Sequence, residues 1–534
     1  MATDCIPLSA IPHRTRLFAD YIAHFERVRE FYARPPLARD WLPAEARLLR
    51  YDDSRRARAA GILERQNRTW DASAATLDNI RRLAAGASAV VTGQQVGLFG
   101  GPLFSFYKAL SAIRLAAEMS QSGNECVPVF WLATEDHDLA EVNHATLPGA
   151  EAALVKLTSG SAGKAGAPVS AVRFGPEIEG VVAEAAKILG DTPTTQFLRD
   201  SYRPGESLGS SFARLFSRLF AHSGVVLLDA SDPELHAVAA PIYQAAIANA
   251  EELDRALLER GRSLEAAGYH VQVKVTPSST LLFGLRDGGR LPVHRANHDF
   301  TLGEEKLGEG ELLRRIAAQP GEFSANVLLR PVVQDYLLPT VAYVGGPSEV
   351  AYFAQAGVVY QKLLGRLTPV LPRFSATLVE PRAQRLLERY HIAVADTFHG
   401  PERLRELLAA RSLPADVSAT FESAERSLQE SLAEVRTALQ KLDPTLAEAA
   451  GHAASKMEYQ LTGLRQRAAR AELRRSEEIA RHADLLTAAL YPDRDLQERQ
   501  LAGVSFTARY GTELLLRLYD AAHTSCPDHQ VIPL

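Results

Sequence analysis

Apolar and polar positions follow three rhythms along this chain, and the changes of rhythm divide it. Near the N-terminus, Leu17, Tyr21, Phe25, Val28 and Tyr32 recur every three or four residues. That spacing predicts an amphipathic helix over 14–33, ended by Pro35 and Pro36. A second helical stretch is predicted over 55–84, interrupted by polar residues.

The second rhythm is of short apolar runs. AVVTG at 89–93 has the pattern of a buried strand and runs into QQVGLFGGP. Pro102 suits the first turn of a helix, where its missing N–H needs no partner, and LFSFYKALSAIRLAAEM reads as that helix. VPVFWLA at 127–133 is a second buried strand, ending in EDHD. Strand, glycine loop, helix and strand make a βαβ unit, whose ligands sit beyond the carboxyl ends of the strands. Both the glycine loop and EDHD fall at such ends.

Residues 145–200 are mixed and read as an insertion. SFARLFSRLFAHSG is a helix closing at Gly224, VVLLDA at 225–230 is a third buried strand, and a helix is predicted over 234–267. HVQVKV at 270–275 alternates like a half-exposed strand, and LLFGLRDGGRLPVHR reads as a hairpin turning at Asp287-Gly288-Gly289. TVAYVGG at 340–346 is another strand feeding a glycine turn and a helix over 348–364. The fold expected is α/β, with a parallel-sheet core and connecting inserts.

The third rhythm runs over 418–488. Leu428, Leu432, Val435, Leu439, Leu442 and Leu446 follow a 4, 3, 4, 3, 4 spacing, which is a heptad seam. Asp443-Pro444 and Gly451 permit a break, and Leu461, Leu464 and Ala468 form a second stripe. An antiparallel helical hairpin or coiled-coil arm is expected, as a structural or dimerisation device. The division expected is a core with inserts over 1–385, a helical region with the arm over 386–490, and a closing segment over 491–534 that packs back.

Composition narrows the class. At 534 residues the chain exceeds one ordinary core, and 46% hydrophobic with 23% charged residues fits a folded protein. A formal net charge of -5 argues against a nucleic-acid binder. Cysteines at 5, 126 and 526 give neither a disulfide scaffold nor a CxxC pair, and Cys126 reads as a core thiol. No secretory signal or 18-residue apolar run is seen, so the expected location is cytoplasmic, without membrane contact.

Candidate chemistry gathers at three places. Gly93, Gln94, Gln95, Gly97, Gly100 and Gly101 form a loop whose backbone N–H groups can converge on an anion, although it is neither GxxxxGK[ST] nor GxGxxG, and a packing role stands beside that reading. Lys108 lies about two turns into the following helix. Glu135, Asp136, His137 and Asp138 follow an apolar run and should face a wet cleft or ordinary polar surface. His137 suits a general acid or base held by a neighbouring carboxylate, with Asn143 and His144 close behind. A metal held by His137, Asp138 and His144 is chemically admissible, but the spacing matches no strong signature and the metal stays unknown. The block 330–355 offers Gln334, Asp335, Tyr336, Gly345, Gly346 and Glu349 as a second cleft wall or as a strand-turn-helix corner. His222 and His236 read as lone histidines without a site, and Ser278, Ser279 and Thr280 as turn residues.

VVTGQQVGLFGGPLFSFYKALSAIRLA with VPVFWLATEDHDLAEVNH resembles the bacillithiol biosynthesis cysteine-adding enzyme family, the cysteine ligase BshC family. RPVVQDYLLPTVAYVGGPSEVAYF resembles its second block and LYPDRDLQERQ at 490–500 its C-terminal block, so the similarity spans nearly the whole chain. The resemblance implies a Rossmann-like core related in shape to class I nucleotidyltransferase-type domains, with a C-terminal coiled coil that forms a homodimer. It implies the last step of bacillithiol synthesis, L-cysteine joined through an amide to glucosaminyl malate. A carboxylate is a poor electrophile, so activation by ATP is expected, an acyl adenylate being one route. Mg2+ would accompany it on charge grounds, with no residue identifying its site. In that scheme Gly93 to Gly101 hold phosphate, Lys108 offsets charge, and His137, oriented by Asp136 or Asp138, moves a proton. Gly345 and Gly346 join the candidate binding set. A non-catalytic nucleotide-binding sensor and a dimeric scaffold are the alternatives.

Overall fold

Apolar runs with almost no polar interruption build a five-stranded parallel sheet in the computed structural model, which describes residues 4–12, 14–160, 166–286, 288–297, 299–522 and 526–534. Its strands are β1 (Ser88–Gln94), β2 (Cys126–Leu132), β3 (Val226–Asp229), β4 (Thr340–Gly345) and β5 (Val370–Pro372). They lie in the order β5-β4-β1-β2-β3, every pair parallel. Thr92 of β1 stands opposite Phe130 of β2 and Val344 of β4. Helices cover both faces, which is why the strands are apolar throughout. Val90, Val341 and Val344 pack on Ala112, Leu115 and Met119, while Val91, Val127, Val129 and Val226 belong to the larger core on the other face.

Three helices position the crevice at the strand ends. α1 (Leu103–Gln121) carries the chain from β1 to β2, α2 (Arg330–Leu337) leads into β4, and α3 (Pro347–Leu364) leaves it. The chain steps from β1 to β2 on one side, while β4 pairs with β1 on the other. The order therefore reverses between β1 and β4, and their carboxyl ends open the crevice that such sheets use for ligands.

The inserts are of two kinds. Between β2 and β3 lie the antiparallel strands His144–Pro148 and Leu154–Thr158 and the helices Glu177–Leu189 and Pro193–Ser201. Between β3 and β4 lies an antiparallel sheet built from Ser279–Arg286, Gly289–Ala296, Asp299–Leu302, Glu305–Gly308 and Phe323–Ala325. The predicted hairpin is its first pair; Asp287 of the turn lies outside the described residues.

Three expected elements differ. The helix expected over 14–33 spans only Arg16–Ala23, because His24 leaves helical geometry at φ -140. A 3-10 turn then keeps the apolar spacing, so Tyr21, Val28 and Tyr32 are buried all the same. The helix expected over 234–267 breaks at Asn249, whose side-chain amide donates to the Ala245 carbonyl at 2.8 Å. HVQVKV forms no strand. The amide of Gln355 pairs with both the N–H and the carbonyl of Val273, each at 2.8 Å, and stands in for a strand neighbour.

The chain divides into two compact units, one of residues 1–149, 154–376 and 498–530, the other of 150–153, 377–497 and 531–534. The second contains the arm, α4 (Ala415–Leu442) and α5 (Pro444–Arg475). Asp443 makes the break, capping α5 through the Thr445 N–H at 2.8 Å. Arg465 reaches back to Glu425 at 3.3 Å, so the two helices form a hairpin, as the heptad seam predicts. Among the described residues no helix is long and apolar enough to cross a membrane.

The first unit holds an aromatic cluster beneath the glycine loop. Phe216 stacks on Phe212 at 4.2 Å and meets Phe106 of α1 and Phe130 of β2 at 5.4 and 5.2 Å. Phe216→Ala is expected to lower stability by about 3–5 kcal/mol. The check is the denaturation midpoint of the intact chain followed by tryptophan fluorescence, since Trp131 lies next to Phe130.

Candidate active site

The carboxyl ends of β1 and β4 are tied together by one buried lysine. Lys108, on α1, places its ammonium 2.9 Å from the Gly93 carbonyl, 2.8 Å from the Gln94 side-chain oxygen and 2.5 Å from Glu349 Oε2. Glu349 sits in the first turn of α3 and folds back on its own N-cap, accepting from the Gly346 N–H at 2.6 Å and from the Tyr343 hydroxyl at 2.5 Å. A side chain at Gly345 would bring its Cβ to 2.9 Å from Glu349 Cβ, so this return requires glycine there. Burial lowers the pKa of Lys108, and Glu349 acts against that loss.

Around this pair lies a cavity of about 360 Å³ with charge of opposite sign on its two sides. Glu135, Asp136 and Glu141 line it beyond the end of β2, and Arg373 lines it just beyond β5. Three strand spacings, about 14 Å, separate those two strands. The amide nitrogen of Gln95 donates to both Asp136 and Glu141 at 2.7 Å. Arg330, at the start of α2, donates to the Tyr352 hydroxyl at 2.8 Å and lies over the rings of Trp131 and Tyr343. Arg373 is paired with Glu498 at 2.6 Å, and Arg499 joins the same wall. Arg290 enters from the antiparallel insert, donating to Ser324 Oγ at 2.9 Å and the Ala325 carbonyl at 2.6 Å. Burial lowers its pKa, opposed by Glu135 and Asp136.

Of the residues singled out from sequence, Gly93, Gln94, Gln95, Lys108, Glu135, Asp136, Gly346 and Glu349 meet in this cavity. Gly97, Gly100, Gly101 and Gly345 are not part of its lining. The N–H groups of Gly97, Gly100 and Gly101 are bound to the carbonyls of Gln95, Gly97 and Leu98, and a Cβ on Gly97 would come within 2.8 Å of Gly101 Cα. That loop is built by tight packing, with Phe99 held at φ 54 between its glycines. His137 is also outside the lining; its side chain is 45% exposed, with Nδ1 3.6 Å from Asp136. Asp138 caps the short helix Leu139–Val142, and His144 begins an insert strand with Nδ1 3.1 Å from the Ala140 carbonyl. Among the described residues no group of three or more His, Cys, Asp or Glu could hold a metal ion, so His137, Asp138 and His144 do not assemble one. Gln334 and Asp335 are buried in structural bonds to Arg330 and Tyr360 rather than facing the cavity. Cys126 is buried, its thiol pushed up to about 12 by desolvation.

Sequence reasoning missed Arg290, Arg330, Arg373 and Arg499 as wall residues. Arg330 and Arg499 stand inside two of the blocks that carry the family resemblance, which is a usable signal. Arg290 and Arg373 arrive from an insert and a sheet edge and leave none. His236, taken as a lone histidine, is buried and pairs with Glu135 at 3.2 Å.

A parallel sheet whose switch point opens into a cavity carrying charges of both signs defines a Rossmann-like α/β protein. Residues 1–374 match the family model described as Bacillithiol biosynthesis BshC, N-terminal Rossmann-like domain, and residues 376–534 match Bacillithiol biosynthesis BshC, C-terminal coiled-coil domain. The chain belongs to the BshC family. A relative from Koribacter versatilis is 51% identical over the whole of both chains, and one from Solibacter usitatus 37% identical, again over both in full. One from Salinibacter ruber is 34% identical over 98% of this chain and 97% of its own. All three carry the name "Putative cysteine ligase BshC".

The Arg373 wall depends on Glu498, and this gives a pH test. Burial alone would raise the Glu498 carboxyl, but Arg373 outweighs it and holds the group at about 2, below the ordinary 4.5. Nearby, burial pushes His529 down from 6.5 to about 4. Both folded values are depressed, so both contributions are present at neutral pH and are lost as pH falls, His529 from 6.5 towards 4 and Glu498 from 4.5 towards 2. The Glu498 share amounts to about 3 kcal/mol. Urea unfolding at pH 7, 5 and 3 is expected to show stability falling at each step, with Glu498→Gln less stable at pH 7 and flatter between pH 5 and 3.

Proposed function

We propose that this chain is the cysteine ligase of bacillithiol biosynthesis, joining L-cysteine to the amine of glucosaminyl malate through an amide bond, with ATP activating the cysteine carboxylate. The observation that carries this reading is the division of charge in the cavity. Glucosaminyl malate has an ammonium group at one end and carboxylates at the other. The wall of Glu135, Asp136 and Glu141 suits the first, and Arg330, Arg373 and Arg499 suit carboxylate or phosphate. The guanidinium groups are fixed before any ligand arrives, Arg330 by Tyr352 and Arg373 by Glu498. Fixed charges of this kind stabilise developing negative charge without reorganising.

Lys108 has a supporting role in this scheme. Its three donors are engaged by Gly93, Gln94 and Glu349, so it fixes the floor and adds positive potential. The aromatic faces of Trp131, Tyr343 and Tyr352 close the space between the two charged walls and limit water. Magnesium would accompany ATP as the counter-ion of its phosphates.

Incubation with glucosaminyl malate, L-cysteine, ATP and magnesium is expected to give a product heavier than the sugar by one cysteinyl residue, seen by mass spectrometry. Arg330→Ala is expected to raise the KM for the sugar about tenfold or more, the loss of a charge-assisted hydrogen bond. Saturable binding of ATP and sugar without product would instead support a nucleotide-binding sensor. Absence of any binding by the folded protein would support a scaffold.

We also propose that the arm joins two copies of the chain. Within one hairpin, Val435, Leu442 and Leu464 remain 49%, 77% and 55% exposed, although they belong to the apolar stripes. A second hairpin would cover them. Light scattering is expected to give twice the chain mass, and the single mass after deletion of 418–472. A monomeric intact chain at micromolar concentration contradicts the dimer.

A further inference from the structure

A buried histidine stands behind one carboxylate of the acidic wall. Glu135 is the third residue after β2 and lines the cavity, its side chain 15% exposed. Its Oε1 lies 3.2 Å from Nε2 of His236, whose side chain is only 5% exposed. His236 belongs to the helix Pro233–Ala248, and its Nδ1 lies 3.2 Å from the hydroxyl of Tyr243 on the same helix. The imidazole is thus held at both nitrogens, which fixes its plane and aims Nε2 at Glu135.

The three wall carboxylates are not equivalent. Asp136 accepts from Gln95 on one oxygen and from the His137 N–H on the other. Glu141 shares the same Gln95 amide. Glu135 has one oxygen committed to His236 and its other available to a ligand in the cavity it lines. Arg290, His236, Asp229 and the Tyr243 hydroxyl are the charged and titratable groups that interact with it. Burial would drive the His236 ring neutral, but Glu135, with Asp232 adding to it, raises its pKa above the ordinary value.

We propose that Glu135 is the carboxylate that takes the proton from the attacking amine, and that His236 is the residue that positions it. The assignment rests on the ligase reading. The ammonium of the sugar first loses a proton to solvent; the neutral amine then attacks the activated carbonyl carbon of cysteine, and the C–N bond forms. The nitrogen, now carrying positive charge, is strongly acidic and gives one proton to Glu135. The C–O bond to the phosphate-bearing leaving group breaks, and that group departs with the electron pair. One hydrogen remains on the amide nitrogen. A carboxylate is basic enough here because the proton is lost from a nitrogen already bonded to carbon, and such transfer contributes about 100-fold or more.

The test uses the full chain with Glu135→Gln and His236→Gln. Glutamine at 135 keeps an oxygen for His236, so the fold is expected to stand, checked by thermal unfolding. In E135Q, kcat for amide formation is expected to fall about 100-fold or more, while the KM for cysteine stays within about twofold, since its site is not altered. In H236Q the fall is smaller, and the acid limb of the kcat profile moves to higher pH. H236Q takes away the partner that stands 3.2 Å from the carboxylate, whose charged form is the active one. A purely structural histidine would lower stability without moving that limb. Calorimetry adds a reading that needs no turnover: the wild type is expected to bind glucosaminyl malate more tightly than its N-acetylated form, and E135Q to lose that preference. E135Q with wild-type kcat and unchanged preference overturns the assignment alone. A wild type that binds neither sugar and makes no product overturns the ligase reading and this proposal with it.

Discussion

Lys108 carries its ammonium into a place from which water is excluded, and the cavity is organised around the partners that make this tolerable. Removing a charge from water costs several kcal/mol unless it is paired and hydrogen-bonded. Glu349 supplies the countercharge, and the Gly93 carbonyl and Gln94 side chain take the remaining donors. These partners come from two elements, Gly93 and Gln94 from the end of β1 and Glu349 from α3. The pair therefore pins the carboxyl end of β1 to the N-terminus of the helix that leaves β4. Losing either partner would leave a buried charge alone, at a cost of about 3–5 kcal/mol.

The same constraint explains the glycines at the strand ends. Glu349 can return to its own N-cap only because Gly345 has no Cβ, and the Gly346 N–H is one of the donors it accepts. With these positions filled by the pair, ligand-facing charge comes from farther out. Arg330 and Arg373 stand to one side and Glu135 and Asp136 to the other, each braced by a partner of its own. The cavity wall is more apolar than polar, and its charged groups are already bound to the scaffold, as a preorganised site requires.

The sheet was legible because its signal is local. VVTG, VPVFWL and TVAYVG are continuous apolar runs with turn residues at their ends, and a strand buried on both faces needs nothing else. The arm was legible for the same reason, through its heptad spacing. HVQVKV misled because alternation reports a half-buried extended segment, whereas a strand also needs a backbone neighbour; Gln355 supplied a side chain instead. For the candidate site, Lys108, Asp136 and the Gly93–Gln95 turn were visible beside the glycine loop. The loop's own N–H groups turn inwards, and spacing alone cannot distinguish a phosphate cradle from a tight packing turn. His236 and Arg373 are distant in sequence from the residues they serve, and their meaning comes from the tertiary fold.

The Lys108–Glu349 pair shapes the cavity at the switch between β1 and β4. The direct test is a double-mutant cycle with Lys108→Met and Glu349→Gln, measured as kcat/KM for the cysteine-dependent condensation. Two residues acting as one unit are expected to be non-additive, the double variant losing less than the summed single losses by at least about 1 kcal/mol. Losses that add in full, or single variants that keep wild-type kcat/KM, would contradict the account.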